Sequence, residues 1–220
     1  MTLTAPSPAP ARRPGRFAPF AAWGSPLYVA DIASAGERLA SFRDLILERT
    51  GTDPEASNFG VITATKANQD ILQWDDPIVD WFKGRIIDAV SALTRATLGE
   101  AADEVAQEVI AEAWTVVYAE GGSLRPHTHH DSAWSGVFYV ESGDGGETGE
   151  AGYLQLLDPR PAAVARFASQ GVYRVEPVPG RMVAFPGWLP HSVQATLTGG
   201  GRRICVAWNV AYDKDWAGMS

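Results

Sequence analysis

The 220 residues carry 18 Lys and Arg against 26 Asp and Glu, a formal net charge of −8, with a pI near 5.0 and a mean hydropathy of −0.10. That balance argues against general attraction to nucleic-acid phosphates or anionic membranes, and no run of about 18 apolar residues suggests a membrane span. A single cysteine, Cys205, excludes an intrachain disulfide and fits a reducing cytoplasm.

Residues 1–16 are rich in Ala and Pro, with Arg12, Arg13 and Arg16 and no acid. Prolines interrupt any apolar segment that a secretory leader would need, so the stretch reads as a flexible tail. From Phe17 the composition changes, and residues 17–220 are expected to form one domain with a substantial core. Asp31–Thr50 has helical spacing, with Leu39, Phe42, Leu45 and Ile46 on one face. Gly51 can close that helix. Ser57–Thr65 has the β-branched content of a strand, and Asp76-Pro77 then opens a second helix whose stripe of Ile78, Phe82, Ile86, Val90 and Leu93 runs to Gly99. Both helices are expected to cover a sheet.

Beyond the acidic stretch Glu100–Glu108 the chain becomes a series of short β-like runs punctuated by Gly and Pro. They are Val109–Ala119, Ser135–Val140, Tyr153–Leu157, Val172–Val178, Arg181–Phe185, Ser192–Leu197 and Arg203–Val210. Glu120-Gly-Gly122 reads as a turn. Strands of this length and spacing predict a mainly β fold with flanking helices, a sandwich or jelly roll. The glycine loops at Gly143–Gly146 and Gly199–Gly201 have neither a phosphate-loop nor a dinucleotide-binding setting, and read as hairpin loops.

Three of the four histidines fall within Arg125-Pro-His-Thr-His-His-Asp131. Under strand alternation His127, His129 and Asp131 share a face and His130 points away. Histidine 191 follows 62 residues after His129, in Phe185-Pro-Gly-Trp-Leu-Pro-His191. An imidazole pair, or an imidazole with a carboxylate, joined by a distant histidine is the construction of a non-haem Fe(II) facial triad with open positions. In Arg202-Arg-Ile-Cys-Val-Ala-Trp-Asn209, residues Arg203, Cys205, Ala207 and Asn209 share one face, and small neighbours leave room beside the Arg203 guanidinium. A planar, permanently charged donor fork in a pocket suits a carboxylate.

Taken together, His127-Thr-His129, Ser135-Gly-Val-Phe-Tyr-Val140, Leu157-Asp-Pro-Arg160, Gly180–His191 and Arg203–Asn209 resemble the 2-oxoglutarate- and Fe(II)-dependent oxygenases of the double-stranded β-helix superfamily. The likeness covers about the C-terminal half in motif detail. It implies a jelly-roll (cupin-like) barrel with Fe(II) at one mouth, 2-oxoglutarate as co-substrate and O2 as oxidant, yielding succinate, CO2 and a hydroxylated product. The wider superfamily uses His-x-Asp/Glu with a distant His, which His129, Asp131 and His191 satisfy. The closer group resembles His-x-His, which gives His127, His129 and His191 as ligands, with Asp131 the alternative. The resemblance further implies that Arg203 pairs with the distal carboxylate of 2-oxoglutarate and that Tyr139 helps to hold it. Trp134 and Trp188 flank the histidine segments as candidates for the substrate mouth.

Two other classes compete with this reading. A cupin-type dioxygenase would use the same metal ligands without a keto acid, and a non-catalytic jelly roll would bind its partner with incidental histidines. Neither the primary substrate nor the oligomeric state is written in these motifs.

Overall fold

The computed structural model describes residues 24–51, 61–67, 70–102, 109–143, 149–159, 171–197 and 199–212. The expected N-terminal tail, the onset at Phe17, the start of the strand at Ser57 and most of the loops 143–147 and 159–171 lie outside them. The elements are β1 (Tyr28–Asp31), α1 (Leu39–Gly51), β2 (Val61–Lys66), α2 (Pro77–Leu98), β3 (Val109–His127), β4 (Trp134–Glu141), β5 (Leu154–Leu157), β6 (Val172–Val175), β7 (Arg181–Pro186), β8 (His191–Val193) and β9 (Arg203–Tyr212).

Helix α2 follows its sequence signals closely. The Asp76 carboxylate accepts from the Ile78 N–H at 2.8 Å, Pro77 occupies the first turn, and Gly99 ends the helix at φ 60°. Helix α1 starts later than expected, because Ala33–Ala35 forms a separate 3-10 turn whose Ile32 N–H is tied to the Gly180 carbonyl at 2.9 Å. No described helix is long and apolar enough to cross a membrane.

All strand pairings are antiparallel. The order is β1, β7, β4, β9, β3, β8, β5, β6, with β2 also paired to β3. The sheet curls because β3 changes partner along its length. Its first half pairs with β9, from Val109↔Tyr212 to Tyr118↔Arg203, and its far end pairs with β8, at Leu124↔Val193 and His127↔His191. Between them lies Gly121, at φ 74°, a conformation that costs glycine little. The Glu120–Gly122 segment read as a turn is therefore a bend inside one 19-residue strand; the register irregularity with β2 falls there, and the one with β8 lies beyond it, between Leu124 and His127.

Alternation gives the curled sheet two different faces. On one, Ile204, Val206, Trp208 and Val210 of β9 and Phe138 of β4 pack against Phe42, Phe82 and Ile86 of the helices. Phe138 sits 5.7 Å from the Phe82 ring and 6.3 Å from Phe42. On the other, Val116, Tyr118, Tyr139, Leu154, Phe185 and Cys205 form a second cluster inside the curl. This is the predicted jelly-roll class with helices on one side.

Phe138 is fully buried, whereas Ile87 on α2 is 58% exposed. Phe138→Ala is expected to lower unfolding free energy by about 3–5 kcal/mol and Ile87→Ala by less than about 0.5 kcal/mol. Urea denaturation of the two variants checks the assignment of this face, and similar losses from both would contradict it.

Candidate functional site

Inside the curl is a cavity of about 400 Å³, lined by residues of β2, β3, β4, β5, β7, β8 and β9. His127 and His191 face one another because they are register partners on β3 and β8, and their ring centroids are 4.1 Å apart. His129 lies two residues beyond the end of β3. Its N–H donates to the Gly187 carbonyl at 2.8 Å, and the Gly187 N–H returns a bond to Ala133. A Cβ on residue 187 would sit 2.3 Å from the Ser132 oxygen and 2.6 Å from the His129 oxygen. Only a glycine lets the two histidine-bearing segments lie this close. The His129 ring is consequently 5.0 Å from His127 and 5.2 Å from His191.

Each of these three histidines offers a nitrogen within 4.8 Å of the other two, and among the described residues they form the only such cluster of potential metal ligands. Asp131 is not in it. The chain turns at His130–Asp131 and leaves that carboxylate exposed, and since β3 ends at His127 strand alternation does not extend to residue 131. His130 also points outward, 2.7 Å from the Thr128 hydroxyl.

The ring orientations suit metal binding. Nδ1 of His127 lies 2.9 Å from the Arg125 carbonyl, and Nδ1 of His191 lies 3.0 Å from the Leu189 carbonyl. Each contact places the proton on Nδ1 and leaves Nε2 with its lone pair. The Asn209 side-chain amide is 3.3 Å from Nδ1 of His129, while Asn209 also bonds Glu112 at 3.0 Å and accepts from Ser135 at 2.9 Å. Burial, reinforced by the charge of the neighbouring histidine, lowers His191 to about 3. Burial lowers His129 to about 4, with His127 and Lys66 adding to the effect, and burial also lowers His127. All three imidazoles are therefore neutral near pH 7, the state a metal ligand requires.

Arg203 is 1% exposed, yet no carboxylate pairs with it among the described residues. One amino group donates to the Gly152 carbonyl, the guanidinium lies 4.0 Å over the Tyr118 ring, and Nε has no hydrogen-bond partner. Leaving a buried cation without a counter-anion is costly. A carboxylate entering the cavity would relieve that cost. Tyr118 and Tyr139 are both buried against this cation, and burial raises both phenols well above their ordinary value, so they remain protonated donors. The donor set therefore fits a carboxylate at Arg203 and a cation at the histidines, the two ends of a metal-chelating keto acid.

Tyr118, Trp114 and Lys66 join this cavity without having been singled out in the sequence. The signal for Tyr118 was its place opposite Arg203, which alternation counted back from His127 hides because β3 bends at Gly121. Trp134, in contrast, is a core residue whose Nε1 donates to the Tyr212 hydroxyl at 2.8 Å. Trp188 is 46% exposed and lies outside the cavity lining.

The histidine environment makes stability depend on pH in the metal-free protein. In the unfolded chain each imidazole gains its proton near pH 6.5, whereas in the fold it does so only near 4 or 3. Between these limits the unfolded chain binds more protons, so stability is full above about pH 6.5 and falls as pH drops toward the folded values. Urea midpoints measured without metal are expected to decline from pH 7.5 to 5, and His191→Gln is expected to flatten part of that decline. A wild-type midpoint that does not move over this range would contradict the burial argument.

Residues 112–209 match the family model described as "Putative 2OG-Fe(II) oxygenase", and that span contains the histidine cluster and Arg203. No curated protein matches the chain. Among solved structures it resembles a Pseudomonas putida prolyl-4-hydroxylase, with TM-score 0.59 and 16% identity over 85% of this chain and 92% of that one. It also resembles a Trichoplax adhaerens prolyl hydroxylase in complex with a hypoxia-inducible-factor peptide, with TM-score 0.61 and 13% identity over 88% and 87%. A third relative in fold is HygX from Streptomyces hygroscopicus with nickel, 2-oxoglutarate and hygromycin B, with TM-score 0.58 and 14% identity over 86% and 84%. The jelly-roll fold is shared with these structures, and the segment from 112 to 209 is similar to the 2-oxoglutarate/Fe(II)-dependent oxygenases that the family model describes.

Proposed function

We propose that His127, His129 and His191 hold the Fe(II) of this oxygenase and that Arg203 anchors the distal carboxylate of 2-oxoglutarate, with Tyr118 and Tyr139 as neighbouring donors. The observation that carries the reading is the pairing, on the walls of one cavity, of a neutral three-imidazole cluster with a buried guanidinium that no carboxylate meets among the described residues. When bound, iron and the keto acid together supply oxygen activation, in which 2-oxoglutarate and O2 become succinate and CO2 while one oxygen atom enters a substrate C–H bond. The chain's own residues do the positioning. Arg125 and Leu189 carbonyls fix two imidazole rings through Nδ1, and Gly187 sets the spacing of the third. Arg203, with Gly152 leaving room for its guanidinium, orients the keto acid against the metal. The apolar walls from Val116, Leu154 and Phe185 exclude water.

Of the two candidate third ligands, His127 is favoured over Asp131 because it is the one whose nitrogen lies with those of His129 and His191. We further propose that residues 17–220 act as one catalytic domain in the reducing cytoplasm, in keeping with a buried, unpaired Cys205. In the HygX structure nickel, 2-oxoglutarate and hygromycin B are bound together by a fold of this kind. That supports a three-component site here, with an acceptor of its own.

Anaerobic addition of 2-oxoglutarate to the Fe(II)-loaded protein is expected to develop a weak visible metal-to-ligand charge-transfer band that saturates. His191→Ala should abolish stoichiometric iron binding. Arg203→Ala should retain iron but weaken the keto acid by roughly 30-fold or more, the usual scale for deleting one side of a buried charged pair. Iron binding with no band at any keto-acid concentration would favour the keto-acid-independent dioxygenase. Equal keto-acid affinity in wild type and Arg203→Ala would reject the anchor.

A further inference from the structure

The charged side chains lining the cavity among the described residues are Lys66, Arg125 and Arg203, with no Asp or Glu beside them. This runs against the composition, in which acids outnumber bases 26 to 18. Arg203 is accounted for by the co-substrate. The other two are not: neither Lys66 nor Arg125 has a salt-bridge partner among the described residues.

Their placement is specific. Lys66 ends β2, half-buried, with its ammonium 4.4 Å from the centroid of Trp114. Trp114 in turn lies 6.0 Å from the His129 ring. Lys66 is thus held one indole away from the metal cluster, and its charge is felt at both His127 and His129. Glu112 is the acid that acts on it, but that carboxylate is engaged with Asn209 and does not line the cavity. Arg125 is exposed at the mouth, two residues before His127, and its carbonyl fixes that ring.

The charge balance with co-substrate present sharpens the point. A divalent iron and the keto-acid dianion cancel, and three neutral imidazoles add nothing. A His-x-Asp site would contribute a negative ligand, and this cluster does not. The cavity therefore stays net positive after both have bound, in a low-dielectric setting where an unpaired charge matters most.

Resting on the function proposed above, we infer that the primary substrate is a small molecule bearing an oxyanion, a carboxylate or a phosphate, received between Lys66 and Arg125. Its apolar body lies against Trp114, Val61 and Leu124, which brings a C–H bond near the anionic end over the histidine cluster. The cavity volume, about 400 Å³ to be shared with 2-oxoglutarate, leaves space for a small molecule.

Isothermal titration under argon of protein saturated with Fe(II) and 2-oxoglutarate tests this, with benzoate, phenyl phosphate, benzamide and benzylamine as probes. The two oxyanions are expected to bind at least about tenfold more tightly than benzamide, with benzylamine weakest. Whichever oxyanion binds better names the head group. The Lys66→Gln, Arg125→Gln double variant should bring both to the level of benzamide, and the conservative Lys66→Arg should preserve the preference. Equal affinity for all four probes, or oxyanion binding untouched in the double variant, overturns the inference. The visible band with 2-oxoglutarate in the same sample tells the two failures apart. A normal band without probe preference sinks this inference alone, whereas a missing band removes the co-substrate site and this inference with it.

Discussion

The antiparallel pairing of β3 with β8 is the constraint on which the site depends. Register, once set, places His127 directly across from His191, and a slip of one residue would turn one of the two rings to the opposite face. Two features hold it. Gly121 lets β3 leave β9 and reach β8, and Gly187 admits the chain after β3 so closely that His129 joins the pair. The histidine cluster is thus a product of strand exchange in a curled sheet, and none of its members could be placed by local structure alone.

Strand β9 supplies the other half of the arrangement by serving both faces at once. Its even-numbered residues, from Ile204 to Val210, are buried against the helices, while Arg203, Cys205, Ala207 and Asn209 face the cavity side. The strand that anchors the core therefore also carries the buried Arg203 guanidinium and the amide that touches His129. Burial serves chemistry here as much as stability. It keeps the histidines neutral and the tyrosines protonated, and it leaves Arg203 without a carboxylate partner among the described residues. Cys205, whose thiol burial raises to about 11, stays an inert wall of the same cavity.

Much of this is legible in the sequence because the relevant signals are local. Helix α2 announced itself through Asp76-Pro77, a 3.6-residue stripe and Gly99, and β9 through alternation from Arg203 to Asn209. The His-x-His spacing and Arg203 were visible as residue types that seldom sit together without a reason. What stayed hidden was set by non-local geometry. The bend at Gly121 looked like a turn, since sequence does not reveal that β3 trades one partner for another, and so Tyr118 and Trp114 could not be aligned with the histidines. Asp131 looked equivalent to His127 under alternation, but the chain stops being a strand at His127. Trp134 looked like a mouth residue by proximity, although its parity on β4 sends it to the helix-covered core. Lys66 sat on a short edge strand with nothing nearby in sequence to mark it.

In the function proposed here, three imidazoles and one buried guanidinium hold iron and 2-oxoglutarate in a single cavity. A crystal structure of the Fe(II)·2-oxoglutarate complex grown without oxygen tests it most directly. One metal ion is expected at ordinary metal–imidazole distance from His127, His129 and His191, chelated by the keto acid, whose far carboxylate rests on Arg203. An ion that takes Asp131 in place of one of these histidines, or a keto acid whose far carboxylate lies away from Arg203, would contradict it.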